Sequence, residues 1–429
     1  MTTRRRFLGG LGAAAFPAVV PASAVGRGGG TAPGDRIHVG CAGVGWQGTN
    51  NLKSFLELPD ARVVAVCDVD SEHLDAAQQT VNDKYGSKDC AAYRRIEEML
   101  ARPDIDAVCL SLPDHWHGLA SVLAARWGKD IYGEKPLAHN FAEGMAICDA
   151  VRRYGRVWQT GSWQRSVTQF RYACELVRSG RIGKVQRVEV GLPGGHTDFD
   201  GKAHLVAPVP PPRSLDYDRW LGPAPLAPYC PARVHKTWRW HSDYGGGMLM
   251  DWIGHHVDIA HWGLGLDHSG PFEVEAHGEF PPADVLWDTA TSYRVIAKYA
   301  GGLEMHISGG YDDTRLGTKW IGDGGWLWVD RKGMEGEPKS ILTSKIGPND
   351  VQLPRSKGHP AQFIECVRTR RETLTPADVA LRSATPGYLG LISMRVGRRI
   401  RWDPVKQEIV GDLEAARLME RPMRDPWHI

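Results

Sequence analysis

Two short runs carry most of the chemistry legible in this chain: the loop Gly43-x-Gly45-x-x-Gly48 and, about ninety residues later, Glu134-Lys135-Pro136. Glycines at that spacing let backbone N–H groups approach a pyrophosphate at a helix N-terminus. Gly43, Gly45, Trp46, Gln47 and Gly48 are therefore candidate dinucleotide contacts. Asp68 stands twenty residues past Gly48. A carboxylate there accepts hydrogen bonds from the adenine ribose and disfavours a 2′-phosphate, so NAD is expected rather than NADP. Lys135 arrives where a strand of the same sheet should end, which would put its ammonium beside the reactive ring and favour a developing alkoxide. Further on, Asp251 and His255 lie four residues apart in a run that reads as a helix from about Met248. A carboxylate one turn before a histidine can orient an imidazole for proton transfer. His255 is thus the candidate base for a hydroxyl proton, and Asp251 its orienting partner.

These residues need a scaffold, and the pattern supplies one. Residues 36–42 read as a buried strand feeding the glycine loop, followed by a helix through Leu52, Phe55 and Leu56. Strands are expected at 62–67, near 92–93, and at 107–111, 130–133 and 156–160. Helices are expected at 71–85, 96–100, 119–127 and 142–154. Six strands alternating with helices predict a doubly wound parallel sheet, with ligands at the strands' carboxyl ends. Asp68, the segment from Leu112 through Pro113 to His117, and Glu134-Lys135 all fall at such ends, which adds Pro113, His117 and Glu134 to the candidate cofactor contacts. After about residue 162 the alternation stops. A helix at 169–179 and strands at 184–191, 272–280, 292–299 and 303–309 predict an α+β half with an open, mainly antiparallel sheet packed on one face. A proline-rich loop over 207–231 is long enough to suggest a role in function.

The ends and the composition set further bounds. Thr3-Arg4-Arg5-Arg6-Phe7-Leu8, an apolar stretch and Ala22-Ser23-Ala24 read as a twin-arginine signal with its cleavage site. The expected organisation is a signal and spacer over 1–34, a dinucleotide-binding domain over 35–161 and a substrate and oligomerisation domain over 162–429. The expected location is the periplasm or another exported compartment. A net charge of +2 without a basic stripe argues against nucleic acid, and no later stretch is long and apolar enough to span a bilayer. The eight cysteines show no Cys-x-x-Cys spacing and are read as buried free thiols. Five of the sixteen tryptophans lie within residues 220–262, and aromatic surfaces beside polar groups suit sugars, so Trp240 and His256 are candidate substrate contacts.

With Gly43-x-Gly45-x-x-Gly48, Glu134-Lys135-Pro136 and the Gly245–Gly247 to His255 run in place, the chain resembles the Gfo/Idh/MocA oxidoreductases, from about Arg36 to Trp427. The resemblance implies a nicotinamide cofactor, a sugar, polyol or glycoside substrate, and a homodimer or homotetramer formed through the second sheet. It implies that Lys135 lies near the nicotinamide, that Asp251 and His255 form an acid–histidine pair, and that Gln164 and Arg165 touch substrate. Some relatives are NAD-dependent glycosidases with a tyrosine-containing motif before the catalytic histidine; this chain has Asp251-Trp252-Ile253-Gly254 instead. The space outside the inner membrane is not expected to hold free NAD, so an exported enzyme of this kind should keep its nucleotide tightly bound. It would regenerate it by ping-pong exchange or by a redox-neutral cycle, including cleavage through transient oxidation at C3. Other readings are a zinc enzyme built on His115, His117, Asp251 and His255, against which no metal site is expected, and a non-catalytic sugar or NAD-binding protein.

Overall fold

The computed structural model describes residues 33–429. The twin-arginine and cleavage motifs lie outside the described residues. The chain divides into two compact units, Met1–Arg36 and Ile37–Ile429. Among its described residues the first holds the 3-10 turn Pro33–Asp35. The second holds both sheets.

In chain order its first elements are β1 (Ile37–Ala42), α1 (Trp46–Leu56), β2 (Ala61–Cys67), α2 (Ser71–Tyr85), β3 (Ala91–Tyr93), α3 (Ile96–Leu100), β4 (Ala107–Leu110), α4 (Asp114–Arg126), β5 (Asp130–Gly133), α5 (Phe141–Arg153) and β6 (Trp158–Thr160). The strands pair in the order β3-β2-β1-β4-β5-β6, all parallel. The order reverses between β1 and β4, which opens a crevice at their carboxyl ends. Local signals fix the helices. Asp70 caps α2 by accepting the Glu72 N–H at 3.0 Å, and Gly86 ends it in the left-handed conformation. Asn140 caps α5 through the Glu143 N–H at 3.0 Å. β4, Ala-Val-Cys-Leu, is buried along its whole length, as a strand covered on both faces must be.

The remaining elements are α6 (Thr168–Arg178), β7 (Val185–Leu192), α7 (Tyr217–Leu221), α8 (Gly247–Trp252), α9 (Asp258–Leu264), β8 (Glu273–Glu279), β9 (Ser292–Lys298), β10 (Glu304–Gly309), β11 (Gly317–Gly322), β12 (Gly325–Val329), β13 (Met334–Glu337), α10 (His359–Thr369), α11 (Ala377–Val396), β14 (Ile400–Asp403), β15 (Glu408–Ile409) and α12 (Leu413–Arg417). Nine strands pair as β13-β12-β11-β7-β10-β9-β8-β14-β15, antiparallel except for β7 beside β10. β9 shows the expected alternation: Tyr293, Val295 and Ala297 are buried, while Arg294 and Ile296 are exposed.

Three local expectations change. α4 begins at Asp114 rather than near 119, because Pro113 presets the entry to a helix. His115 and His117 are therefore helical and buried. The run from Met248 is not one α-helix: a π-helical turn, Ile253–Val257, separates α8 from α9. The proline-rich stretch is not structureless either. It contains α7, and it returns to the first sheet, where Ser71 N–H donates to Ser214 O and Asp216 N–H to Val69 O, each at 3.0 Å. The C-terminal half also lends α10 to the first sheet. Phe363 and Ile364 pack in one cluster with Val39, Phe55 and Tyr132.

Arg165 is a structural keystone of the second half. Its guanidinium is buried and forks onto Asp258 at 2.7 and 2.8 Å and onto Asp267 at 2.8 and 3.1 Å. Removing one partner of a buried pair leaves an uncompensated charge, so Arg165→Met should cost about 3–5 kcal/mol. A denaturant midpoint within the error of the parent would refute this placement.

Candidate functional site

A cleft of about 570 Å3 opens at the carboxyl ends of the first sheet, within the usual size of a ligand site. Gly43, Gly45, Trp46, Gln47, Gly48, Asp68, Pro113, Glu134 and Lys135 all line it. The glycines are required by space. Gly43 has φ +74°, and a Cβ there would lie 2.4 Å from Ser111 O; a Cβ on Gly48 would lie 1.7 Å from Gly43 O. Gly45 caps α1 without a side-chain hydrogen bond, so the first-turn N–H groups and the positive helix end are left for an anion. These features fit a dinucleotide pyrophosphate.

Asp68 helps hold the loop as well as facing the cleft. Its carboxylate accepts the Val44 N–H at 2.8 Å and the Asp70 N–H at 2.9 Å. Burial raises its pKa from the ordinary value, against the pull of these donors and of His73. Each oxygen retains a lone pair for a ribose hydroxyl. Gln47 faces the cleft and donates to Asn51 Oδ1 at 3.1 Å. His117 does not reach the cleft. Its ring lies between Pro136 O at 2.7 Å and Leu112 O at 2.8 Å, and burial pushes its pKa down to about 4. The neutral ring can donate to only one of these two carbonyls. Asn51 was not legible as part of the site. Its amide donates to Glu134 Oε1 at 2.8 Å and Ser111 Oγ at 2.9 Å, bracing α1 against the ends of β4 and β5.

The catalytic end is arranged differently from the expected acid–histidine pair. Lys135 Nζ donates to Asp251 Oδ1 at 3.0 Å and to Asp251 O at 2.7 Å, and Arg239 Nε donates to the same Oδ1 at 3.0 Å. Burial would raise the Asp251 pKa, but Lys135 and Arg239 outweigh it and hold the carboxyl well below the usual range. Asp251 makes no hydrogen bond to His255. The cause is the π turn: its wider ring advances each residue by less rotation than an α-helix, so residue 255 does not fall one turn above 251. The Nδ1 of His255 is buried without a hydrogen-bond partner among the described residues. Burial, followed by Lys135, Arg331 and His256, drives its pKa well below the ordinary value against the pull of Asp251. The charged form of the ring is thus disfavoured at this position.

Of the expected substrate contacts, Gln164, Arg165, Trp240 and His256 are all buried. Arg165 is saturated by its two aspartates. Trp240 donates its indole N–H to Thr197 O at 3.0 Å and stacks on His196. His256 stacks under Trp252 at 6.0 Å, with Gln164 Nε2 3.5 Å from its Nδ1. These residues support the site from below. The side chains grouped with His255 are Trp163 and Trp252, with ring centroids 6.2 and 5.4 Å away, and Arg331, which lies over both tryptophans. Arg331 sits in the β12–β13 turn, where sequence alone reads only an exposed hairpin. The zinc reading finds no support, because His115 and His117 bond backbone carbonyls and Asp251 bonds Lys135 and Arg239. Among the described residues the grouping with metal-ligand spacing is Asp70, His73 and His235.

Comparison with known proteins places this geometry. The family models described as "Oxidoreductase family, NAD-binding Rossmann fold" and "Oxidoreductase family, C-terminal alpha/beta domain" match residues 37–162 and 166–429. Myo-inositol 2-dehydrogenase of Thermotoga maritima is 27% identical over 43% of this chain and 49% of its own length. A glycosyl hydrolase family 109 protein of Shewanella pealeana is 34% identical over 28% of this chain and 27% of its own length. The chain thus spans about half or less of these relatives. Two solved structures share the fold: aldose-aldose oxidoreductase from Caulobacter crescentus complexed with glycerol, and WlbA dehydrogenase from Bordetella pertussis in complex with NADH and UDP-GlcNAcA. The first has a TM-score of 0.61 at 21% identity, covering 85% of this chain and 99% of that one; the second has 0.62 at 19%, covering 86% and 99%.

The close approach at Gly48 gives a direct test. Gly48→Ala must push α1 away from the loop, since the obstructing atom is backbone. The variant should fold yet lose nucleotide binding, measured as absorbance released on denaturation. Unchanged nucleotide content would refute the cradle.

Proposed function

The chain belongs to the Gfo/Idh/MocA oxidoreductase family, and from that premise we propose that it is an NAD-dependent oxidoreductase acting on a secondary hydroxyl of a sugar, polyol or glycoside. The observation that carries this reading is the placement of Lys135 at the end of β5, lining the nucleotide cleft and bonded to Asp251, with the buried His255, whose Nδ1 has no partner among the described residues, in the adjoining π turn. When bound, the nicotinamide cofactor accepts or returns a hydride. The protein does the rest. Two of the three Lys135 N–H groups are held by Asp251, which leaves one to donate to the substrate oxygen and stabilise negative charge on it. His255 takes the hydroxyl proton. Asp251 positions Lys135 and Arg239 rather than the histidine.

We further propose that the nucleotide stays bound through turnover. Residues 198–239 form a strap along the cleft. It is anchored by the backbone bonds between 69–71 and 214–216, and by Arg94 Nη2, which donates to Val69 O at 2.7 Å and Ser214 O at 2.9 Å. From this strap His235, Lys236, Trp238 and Arg239 line the cleft. The twin-arginine reading supports the same conclusion, because an exported enzyme is not expected to meet a free NAD pool. The hydride would return to the same sugar or to a second carbonyl compound. Similarity to a glycosyl hydrolase family 109 protein favours, as a second reading, cleavage through transient oxidation.

The mature protein should release NAD, not NADP, on denaturation, and should turn over without added nucleotide. Tritium at the oxidised carbon should remain on sugar. Strict dependence on added NAD, with free NADH accumulating, would leave an ordinary dehydrogenase. Lys135→Ala and His255→Ala should each lose ~10²–10⁴-fold in turnover while remaining folded and loaded. A rate near the parent's in His255→Ala would mean a different base. Because His255 is depressed, the acidic limb of kcat/KM should fall below the ordinary histidine value of about 6.5; a half-maximum above that value would contradict the assignment.

A further inference from the structure

Arg331 differs from the other arginines around the site. Arg239 meets Asp251, Arg165 meets Asp258 and Asp267, and Arg421 meets Glu143. Arg331 meets no carboxylate among the described residues. Its Nε donates to Gln164 Oε1 at 3.2 Å, and its guanidinium lies 4.8 Å from the Trp163 ring and 4.7 Å from the Trp252 ring. Neither Nη group has a protein partner among the described residues. The same two indoles flank His255, so this open fork belongs to the catalytic cluster.

The fork is also held in place. Asp330 Oδ1 accepts the Lys332 and Gly333 N–H groups at 2.6 and 2.9 Å, and Asp330 N–H donates to Gly333 O at 3.0 Å. Gln169 Nε2 secures Asp330 O at 2.5 Å. The turn that carries Arg331 is thereby rigid. Arg331 is exposed, and a guanidinium with both Nη groups free matches two oxygens of one anionic group.

We propose that Arg331 binds an anionic group carried by the substrate, a carboxylate or a phosphate, so that the enzyme selects an acidic sugar over its neutral counterpart. The inference rests on the oxidoreductase reading of the Lys135–His255 site and narrows its substrate class.

The test uses the nucleotide-loaded mature protein and matched ligands: D-glucuronate, D-galacturonate and D-mannuronate, the corresponding hexose 6-phosphates, and the neutral hexoses. Binding is followed by calorimetry, and reduction of the bound nucleotide by absorbance. At least one acidic member should bind about tenfold or more tightly than its neutral partner, and the two acidic arms distinguish carboxylate from phosphate. Arg331→Gln should lower that affinity roughly 10- to 100-fold, as expected for a charge-assisted bidentate contact, and Arg331→Lys should recover part of it. Arg315→Gln, on an arginine paired with Glu335 over Trp328, should leave the preference intact. Retained nucleotide in each variant reports folding. Equal or tighter binding of neutral sugars, binding of neither class, or a preference insensitive to Arg331→Gln overturns the proposal. A neutral sugar that reduces the bound nucleotide as readily as its acidic counterpart would overturn it and leave the oxidoreductase reading standing. A protein that releases no nucleotide would instead overturn that reading.

Discussion

One half-buried carboxylate, Asp251, ties the site together. A carboxylate removed from water is costly on its own, and here two cations on one oxygen offset that cost. The three partners come from distant parts of the chain: Lys135 from the end of β5, Arg239 from the strap and Asp251 from the end of α8. Arg239 also lies 5.2 Å from the Trp46 ring, at the first residue of α1. The ion cluster thus joins the glycine loop, the strap and the second half, and the position of Lys135 depends on all of them. Without Asp251, two cations would face each other beside the His255 imidazole.

The π turn next to Asp251 frees the histidine from the carboxylate. A regular α-helix would set His255 one turn from Asp251, where a hydrogen bond would raise its pKa and occupy a ring nitrogen. The wider turn separates the roles: the carboxylate serves the lysine, and the histidine's Nδ1 has no hydrogen-bond partner among the described residues. Gly254 makes this possible, since a Cβ there would come within 2.8 Å of Lys135 Cβ. The glycine before the histidine is therefore a clearance for the lysine.

What was legible in the sequence follows from how local each signal is. The first sheet could be read strand by strand because its order is encoded in alternation, and its glycine loop and Asp68 lie within one βαβ unit. Lys135 could be placed because a strand end fixes it. The Asp251–His255 pairing was misread because spacing of four implies a face only in a regular α-helix, and nothing in Ile-Gly-His-His-Val announces a π turn. Arg165 was read as a substrate contact from the family resemblance, and Trp240 and His256 from the tryptophan-rich segment. Their burial is decided by Asp258, Asp267, Gln164 and Thr197, which reach them only in the folded chain. Asn51 and Arg331 were missed for the same reason: an asparagine in a helix and an arginine in a hairpin turn carry no sign of what they meet across the fold.

The interlocking of the two halves bears on how a nucleotide could leave. In enzymes whose two domains meet at a hinge, opening the hinge releases the cofactor. Here α10 of the C-terminal half is buried in the first sheet's core through Phe363 and Ile364, and the strap adds backbone hydrogen bonds at 69–71. Hinge opening would have to expose those apolar side chains to water, at about 25 cal/mol per Å2 of apolar surface. Peeling the strap would break a few backbone bonds and the Arg94 contacts, a smaller local event. In the proposed reading, exchange of the nucleotide therefore runs through the strap. Arg239 couples that motion to catalysis, because lifting the strap withdraws one of the two cations from Asp251 and leaves Lys135 as its remaining cationic partner. Release of cofactor and disruption of the catalytic cluster become one event, which suits a nucleotide that works as a resident group rather than as a consumed substrate.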